Sequence, residues 1–402
     1  MTRAGSARAG MRLSWQGVVA SVALALAAMV TGAATSPDGT AKTAASWSCH
    51  RAAGPFSVHG TQVLGQDGEV FVSYGITVSG LQGLNWPKYV KLDLKRIAAT
   101  SDDWCSNTVR LQLNQDLLLG PGGTSFDQVY MKAVETEVST AERDHLVVVL
   151  NDNTEFSPLA VRNGQRAPTP GTKTFWKDMA SRYGHDPEVI FDLFNEPRTY
   201  SPGMSLAQKW KLWLNGGRYQ GVSYPFGMAG LASYVRNTVG ARNLLWVQGP
   251  DNSHSFAGMV RQHALLKVSG VVYALHHPEG PLDRASWYAD FGYLVTTGVA
   301  PVVDGEWTNH EPVPTPNLNP IRSSCWPDPL TTVPEYLKYL AARGIGLNAY
   351  DLEPGYLIKS NSNMADPTTI DGRTWSCLSN REPQPRQGAG SQILAWFKQH
   401  NR

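Results

Sequence analysis

The chain of 402 residues carries 35 Lys and Arg against 33 Asp and Glu, a formal net charge of +2, and 42% of it is hydrophobic. Without a long run of one sign, this balance argues against a nucleic-acid binder or a protein held on an anionic membrane surface. The apolar content suffices for a large core, and the length fits one α/β barrel after removal of a leader, so no second domain is required.

Residues 1–34 read as an export signal. Arg3, Arg8 and Arg12 form a positive start, Val18 to Val30 is an apolar run too short to span a bilayer comfortably, and the small residues Gly32, Ala33 and Ala34 follow. A segment at 35–54 then leads into a single body at 55–402. A secreted protein is expected, with no membrane contact after signal removal. In an oxidising compartment Cys49, Cys105, Cys325 and Cys377 allow two disulfides in three connectivities. Cys49–Cys105 with Cys325–Cys377 is preferred, because each pair ties neighbouring segments. No C-x-x-C or H-E-x-x-H spacing occurs, so neither a metal nor a cofactor is expected.

A hairpin is expected first, with arms at 56–64 and 69–73 around Gln66-Asp67-Gly68. Short apolar runs follow at 70–76, 108–113, 146–151, 189–194, 244–248, 271–276, 301–306 and 345–350. Each is continuous rather than alternating, as in parallel strands buried on both faces. Helical stretches are predicted between and after them, at 89–100, 126–144, 175–183, 228–239, 257–268, 286–297, 334–342 and 391–400. Eight such units predict an α/β fold of the (β/α)8 TIM-barrel type. The connections 198–227, 307–332 and 353–389 are unusually long. They follow strands 4, 7 and 8, so all three rise on the face where barrel chemistry sits, the pattern of a substrate cleft.

Polar residues cluster at the predicted strand ends: Arg110, Asn151 to Asn153, Asn195-Glu196, Gln248 to Asn252, His276-His277, Glu306-Trp307 and Tyr350. Two of them are glutamates closing strands 4 and 7. Glycoside hydrolysis needs two carboxyl groups flanking one bond. One protonates the leaving oxygen, and the other attacks the anomeric carbon or activates a water.

Val189-Ile190-Phe191-Asp192-Leu193-Phe194-Asn195-Glu196-Pro197 is similar to the signature of glycoside hydrolase family 5, the large cellulase family. Pro301 to Glu306-Trp307 resembles that family's nucleophile strand, and Phe175-Trp176 to Tyr183-Gly184 also matches. The resemblance runs from about Phe56 to the end of the chain. It implies a retaining β-glycosidase with Glu196 as acid/base and Glu306 as nucleophile. It further implies that Asn195 binds the sugar 2-hydroxyl, that Arg110 keeps Glu306 ionised, and that His276 holds the acid/base. Trp307 and Tyr350 complete the supporting or substrate-binding set. The negative charge of Glu306 is expected to raise the pKa of Glu196. The implied partner is a β-linked polysaccharide or oligosaccharide, cut by a monomer in the manner of an endo-β-1,4-glucanase. Mannan or another β-glycoside is the alternative substrate, and a carbohydrate-binding protein with impaired catalysis is the alternative class.

Departures from the family pattern fall at sugar-contacting positions. Asn151-Asp152-Asn153 stands where a histidine is usual, His276-His277-Pro278 replaces His-x-Tyr, and Tyr350 takes the place of a tryptophan platform. Pro250-Asp251-Asn252 follows strand 5, where an aromatic is common. Trp210, Trp213, Tyr219, Tyr224 and Phe226 lie in the connection after strand 4. Two readings of them stay open: a small helix packed on the barrel, or a sugar platform at the cleft rim.

Overall fold

The computed structural model describes residues 49–83, 86–120, 125–153, 161–162, 165–199, 203–277, 284–307, 329–370 and 388–402. The expected signal at 1–34 and the expected Cys325–Cys377 bridge lie outside them.

Eight parallel strands close into a barrel: β1 (Tyr74–Val78), β2 (Thr108–Leu113), β3 (Val147–Asp152), β4 (Val189–Asp192), β5 (Leu245–Gln248), β6 (Val271–Leu275), β7 (Val302–Trp307) and β8 (Gly346–Ala349). Each pairs with its successor, and β8 returns to β1. Their residues are almost all buried, which is why the sequence shows unbroken apolar runs. The barrel interior is layered. Val147, Val149, Ile190, Leu244, Trp246, Val272, Ala274 and Val303 form an apolar lower layer. Above it, towards the carboxyl ends of the strands, Arg110, Asn151, Asp192 and Gln248 form a polar layer with no exposure.

The sequence places its helices on the outside through local signals. The helix at Pro170–Tyr183 starts on a Thr169–Thr172 capping box with proline in its first turn, and that at Gln128–Arg143 is capped by Asp127. Two predicted helices, at 228–239 and 286–297, form with wider turns inside them, at Tyr234–Val239 and Tyr288–Gly292.

Two expectations are corrected. The hairpin forms within the run taken as its first arm: Ser57–His59 pairs with Gln62–Leu64 around Gly60-Thr61, and Gly60 supplies the left-handed conformation at φ +62. Only the bridge Leu64–Val70 remains of the pairing expected around Gln66-Asp67-Gly68. β1 accordingly begins at Tyr74 rather than Val70. The hairpin packs Val63, Val58, Phe56 and the following Phe71 against the lower barrel layer, closing that end. The helix predicted at 257–268 is a chain of turns instead. Gly258 at φ +80 and His263 at φ +53 break the helical path, although Phe256, Met259 and Ala264 still fill the outer core with no exposure. Their spacing imitates a helix because the packing demand is the same.

Cys49 and Cys105 are disulfide-bonded, with Cα atoms 5.4 Å apart. Among the described residues no helix is long and apolar enough to cross a membrane.

Candidate active site

The polar layer holds a single cation at its centre. Arg110 points from β2 into the barrel, and its Nε donates to Asp192 Oδ2 at 3.0 Å. Its Nη2 donates to Asn195 Oδ1 at 2.7 Å, and its Nη1 to Glu306 Oε2 at 2.7 Å. Asp192 also accepts from Asn151 Nδ2 and Gln248 Nε2, each at 2.9 Å. Gln112 Nε2 donates to Glu306 Oε2 at 2.8 Å. The buried charges are thus paired, and their partners come from four adjacent strands, β2 to β5, and from β7 across the barrel, so each fixes the others' rotamers. The planar guanidinium suits this task, since it addresses three acceptors at fixed angles.

Glu196 follows β4 in the left-handed region, at φ +45. A side-chain-bearing residue there carries strain of about 1–3 kcal/mol, and such strain clusters at functional sites. The neighbouring strands hold it in place. The Glu196 backbone N–H donates to Gln248 Oε1 at 2.7 Å, and the Asn195 N–H donates to the Asp152 carbonyl at 2.9 Å. This turn aims Glu196 across the mouth at Glu306. One carboxylate oxygen of each, with a ring nitrogen of His276, all lie within 4.8 Å of one another. His276 Nδ1 stands 3.2 Å from Glu196 Oε1 and 3.8 Å from Glu306 Oε2. The two carboxylates remain partly open to solvent, at 19% and 16% side-chain exposure, as groups that meet a ligand must.

The electrostatics reverse one expectation. Burial pushes Glu196 up. The hydrogen bond and charge of His276, together with the Arg166 guanidinium, outweigh it and hold the group down at about 2. Burial pushes His276 down in turn, but the Glu306 charge and the bond to Glu196 leave it above the usual histidine value. Sequence reasoning weighed only the like charge of Glu306 against Glu196; it named His276 as a holding group without its charge, and it did not find Arg166. The two cations come from β6 and from a connection after β3.

The remaining predicted residues divide by position. Tyr350, at the end of β8, is half-buried and close enough to Glu306 for that charge to help raise its phenol, although burial is the larger cause. Trp307 is 2% exposed and lies against Tyr336, with ring centroids 5.0 Å apart. In the connection after β4, the helix Leu206–Asn215 begins on a Ser205–Gln208 capping box. Trp210 and Trp213 on it are each 1% exposed. Their indole N–H groups donate to the carbonyls of Ala257 at 3.1 Å and Gln248 at 2.8 Å. Tyr224 is 2% exposed. These three side the structure with packing, while Tyr219 and Phe226 stay half-buried.

Sequence reasoning missed Gln112 and Asp192, and it named Gln248 at a strand end without a role, although all three are polar residues in otherwise apolar strands, which was the available signal. It also missed Arg166. The connection between β3 and the next helix is long, but no motif marks the arginine within it.

The sequence model of the cellulase family, glycosyl hydrolase family 5, matches residues 65–354. A cellulase of Thermoanaerobacterium sp is 28% identical over 141 residues, covering 35% of this chain and 34% of that protein. Endoglucanase C of Evansella cellulosilytica is 26% identical over 146 residues, covering 34% of this chain and 17% of that protein. The matched stretches thus span a third or less of these relatives' lengths. Among solved structures, a β-glucanase from Saccharophagus degradans superposes with a TM-score of 0.59 at 16% identity, covering 87% of this chain and 93% of that one. A β-mannanase from Thermomonospora fusca gives 0.53 at 14% identity, covering 80% and 92%. At these identities the superpositions show a shared fold.

Proposed function

Because this chain belongs to the cellulase family, glycosyl hydrolase family 5, we propose that it is a secreted, monomeric, retaining β-glycosidase that cuts a β-linked polysaccharide of the β-1,4-glucan type. The observation that carries the reading is the approach of Glu196 and Glu306, with one oxygen of each within 4.8 Å. Two carboxyl groups about 5–5.5 Å apart leave no room for a water beside the sugar and suit double displacement, whereas inverting enzymes need about 6.5–9.5 Å. The disulfide at Cys49 and Cys105 suits an oxidising compartment, in keeping with export.

In the first half-reaction Glu306 attacks the anomeric carbon while Glu196 gives a proton to the departing oxygen. The glycosyl–oxygen bond breaks as the ester to Glu306 forms. In the second half, Glu196 takes a proton from water, the water oxygen bonds to the same carbon, and Glu306 leaves. Arg110 and Gln112 hold the attacking oxygen in place by a hydrogen bond each. Arg110 also fixes the Asn195 amide by its oxygen, turning the amide N–H groups to the 2-hydroxyl of the sugar. His276 orients Glu196, and Tyr350 borders the sugar site beside Glu306.

Proton NMR of the first products from a β-1,4-gluco-oligosaccharide tests the reading. The β-anomer should appear before mutarotation, and an initial α-anomer overturns it. Rates on cellulose-type glucan, mannan and xylan then identify the preferred polymer. Tyr350 occupies a tryptophan's usual place, which favours comparison of glucan and mannan first.

A further inference from the structure

We propose that Arg166 is a positioning residue that clamps Glu196 as a carboxylate, so that the protonated form needed by the leaving group is held only at low pH. The proposal rests on the assignment of Glu196 as acid/base. Arg166 Nη2 lies 2.8 Å from Glu196 Oε2 and 2.9 Å from Asn252 Oδ1. Its side chain is 9% exposed, so solvent screens the pair weakly.

The clamp is built into the backbone. The Arg166 N–H donates to the Arg198 carbonyl at 3.1 Å, and the Arg198 N–H returns to Arg166 at 2.7 Å. Arg198 bridges to Asp251, the Thr199 N–H donates to Pro250 at 3.0 Å, and the Asn252 N–H donates to Pro197 at 3.1 Å. Asn252 and Ser253 both adopt left-handed backbone, at φ +48 and +61, and Ser253 Oγ donates to the Ala274 carbonyl at 2.6 Å on β6. Three connections, after β3, β4 and β5, are therefore stitched together around one carboxylate. The arginine's direction is set by this frame rather than by Glu196 alone.

Among the described residues, the charged groups facing Glu196 are Arg166 from the β3 connection, His276 from β6, Glu306 from β7, and His254 from the β5 connection, which Asp251 adjoins. Arg110 lies behind Glu306. Among the cations, His276 serves both glutamates, being 3.8 Å from Glu306 as well. Among the described residues, the carboxylate that Arg166 bonds in the mouth is Glu196. The charge of Arg166 stabilises the carboxylate, so the acid that gives a proton to the leaving group becomes the scarcer form. A substrate whose departing oxygen needs that proton should then be cut best in acid. A substrate with a good leaving group departs without it.

The test compares pH profiles of kcat/KM for wild type, R166Q and R166K on a β-1,4-gluco-oligosaccharide and on dinitrophenyl cellobioside. R166Q should move the alkaline limb up by about one pH unit or more on the oligosaccharide but not on the aryl glycoside, while R166K keeps the wild-type limb. An oligosaccharide limb unmoved in R166Q, or moved equally in R166K, overturns the proposal. Infrared titration of wild type against Glu196→Gln reads the same carboxyl without any change at Arg166. Protonation below about pH 4 supports the clamp, and protonation at or above the ordinary glutamate value overturns it even if R166Q fails to fold. The acid/base assignment fails separately, if Glu196→Gln cuts the oligosaccharide at the wild-type rate.

Discussion

Arg110 and Glu306 meet at 2.7 Å, and the guanidinium that makes this contact has no solvent exposure at all. Glu306 is thereby tied to the floor of the barrel, because the same group is anchored on Asp192. Arg110→Met should leave the buried Asp192 carboxylate and the partly open Glu306 carboxylate short of their partner and destabilise by about 3–5 kcal/mol. Arg110→Lys keeps the charge but not the fork, so it should retain more stability than Arg110→Met while still losing at least about tenfold in kcat/KM. Denaturant unfolding and steady-state kinetics on both variants check this. Equal activity in Arg110→Lys and wild type would mean that charge alone suffices.

Glu196→Gln and Glu306→Gln should each abolish polysaccharide turnover. Azide should partly restore Glu306→Ala on an activated aryl glycoside, since a small anion fits the space left by the carboxylate and attacks the same carbon. The assignment fails if either glutamine variant keeps near wild-type rates on its best substrate.

Trp210 and Trp213 pack edge to face, with centroids 5.2 Å apart, and both are satisfied by backbone carbonyls. Trp213→Ala should therefore lower stability by about 3–5 kcal/mol with little change in KM. A platform residue shows the opposite, a weaker substrate affinity at an unchanged thermal midpoint. Measuring both quantities for Trp210→Ala, Trp213→Ala and Tyr219→Ala locates any sugar contact in this connection.

Asp304 on β7 is fully buried, and its Oδ2 accepts from the Tyr336 hydroxyl at 2.5 Å. Burial raises it from 3.8 to about 8, against the opposing pull of that hydrogen bond and of His276. A group raised on folding lends its full stability below its unfolded pKa and loses it as pH climbs through the folded value. Wild type should thus lose thermal midpoint relative to Asp304→Asn between about pH 4 and pH 8, with no further divergence above that window. The amide oxygen can still accept from Tyr336. Parallel melting curves for the two proteins across the range would remove Asp304 as the cause.

The barrel was legible because burial on both faces forces continuous apolar strands, and because each strand's end carries the polar residues the mouth requires. Glu196 and Glu306 could be paired from strand order alone. What the chain hid was tertiary. The turns at 257–268 carry helical spacing, and only Gly258 and His263 in left-handed conformation reveal that the path breaks. The Gly60 turn was concealed inside an apparently single strand. Arg166 reaches Glu196 through backbone pairing with Arg198, a contact with no local pattern. The ionisation of Glu196 was misjudged for the same reason, since the cations that decide it are distant in the chain.

Asn401 accepts the His50 N–H at 3.4 Å through its carbonyl and donates from Nδ2 to the Cys105 carbonyl at 2.8 Å. The covalent link from Cys49 thus lands on the same loop that receives Asn401. That loop leads into the amino end of β2, on the opposite side of the barrel from Glu196 and Glu306. Residues 50 and 401 are thus held side by side by one hydrogen bond at the end of the barrel away from Glu196 and Glu306. Cargo fused at residue 50 or 401 would therefore project away from an incoming glycan chain.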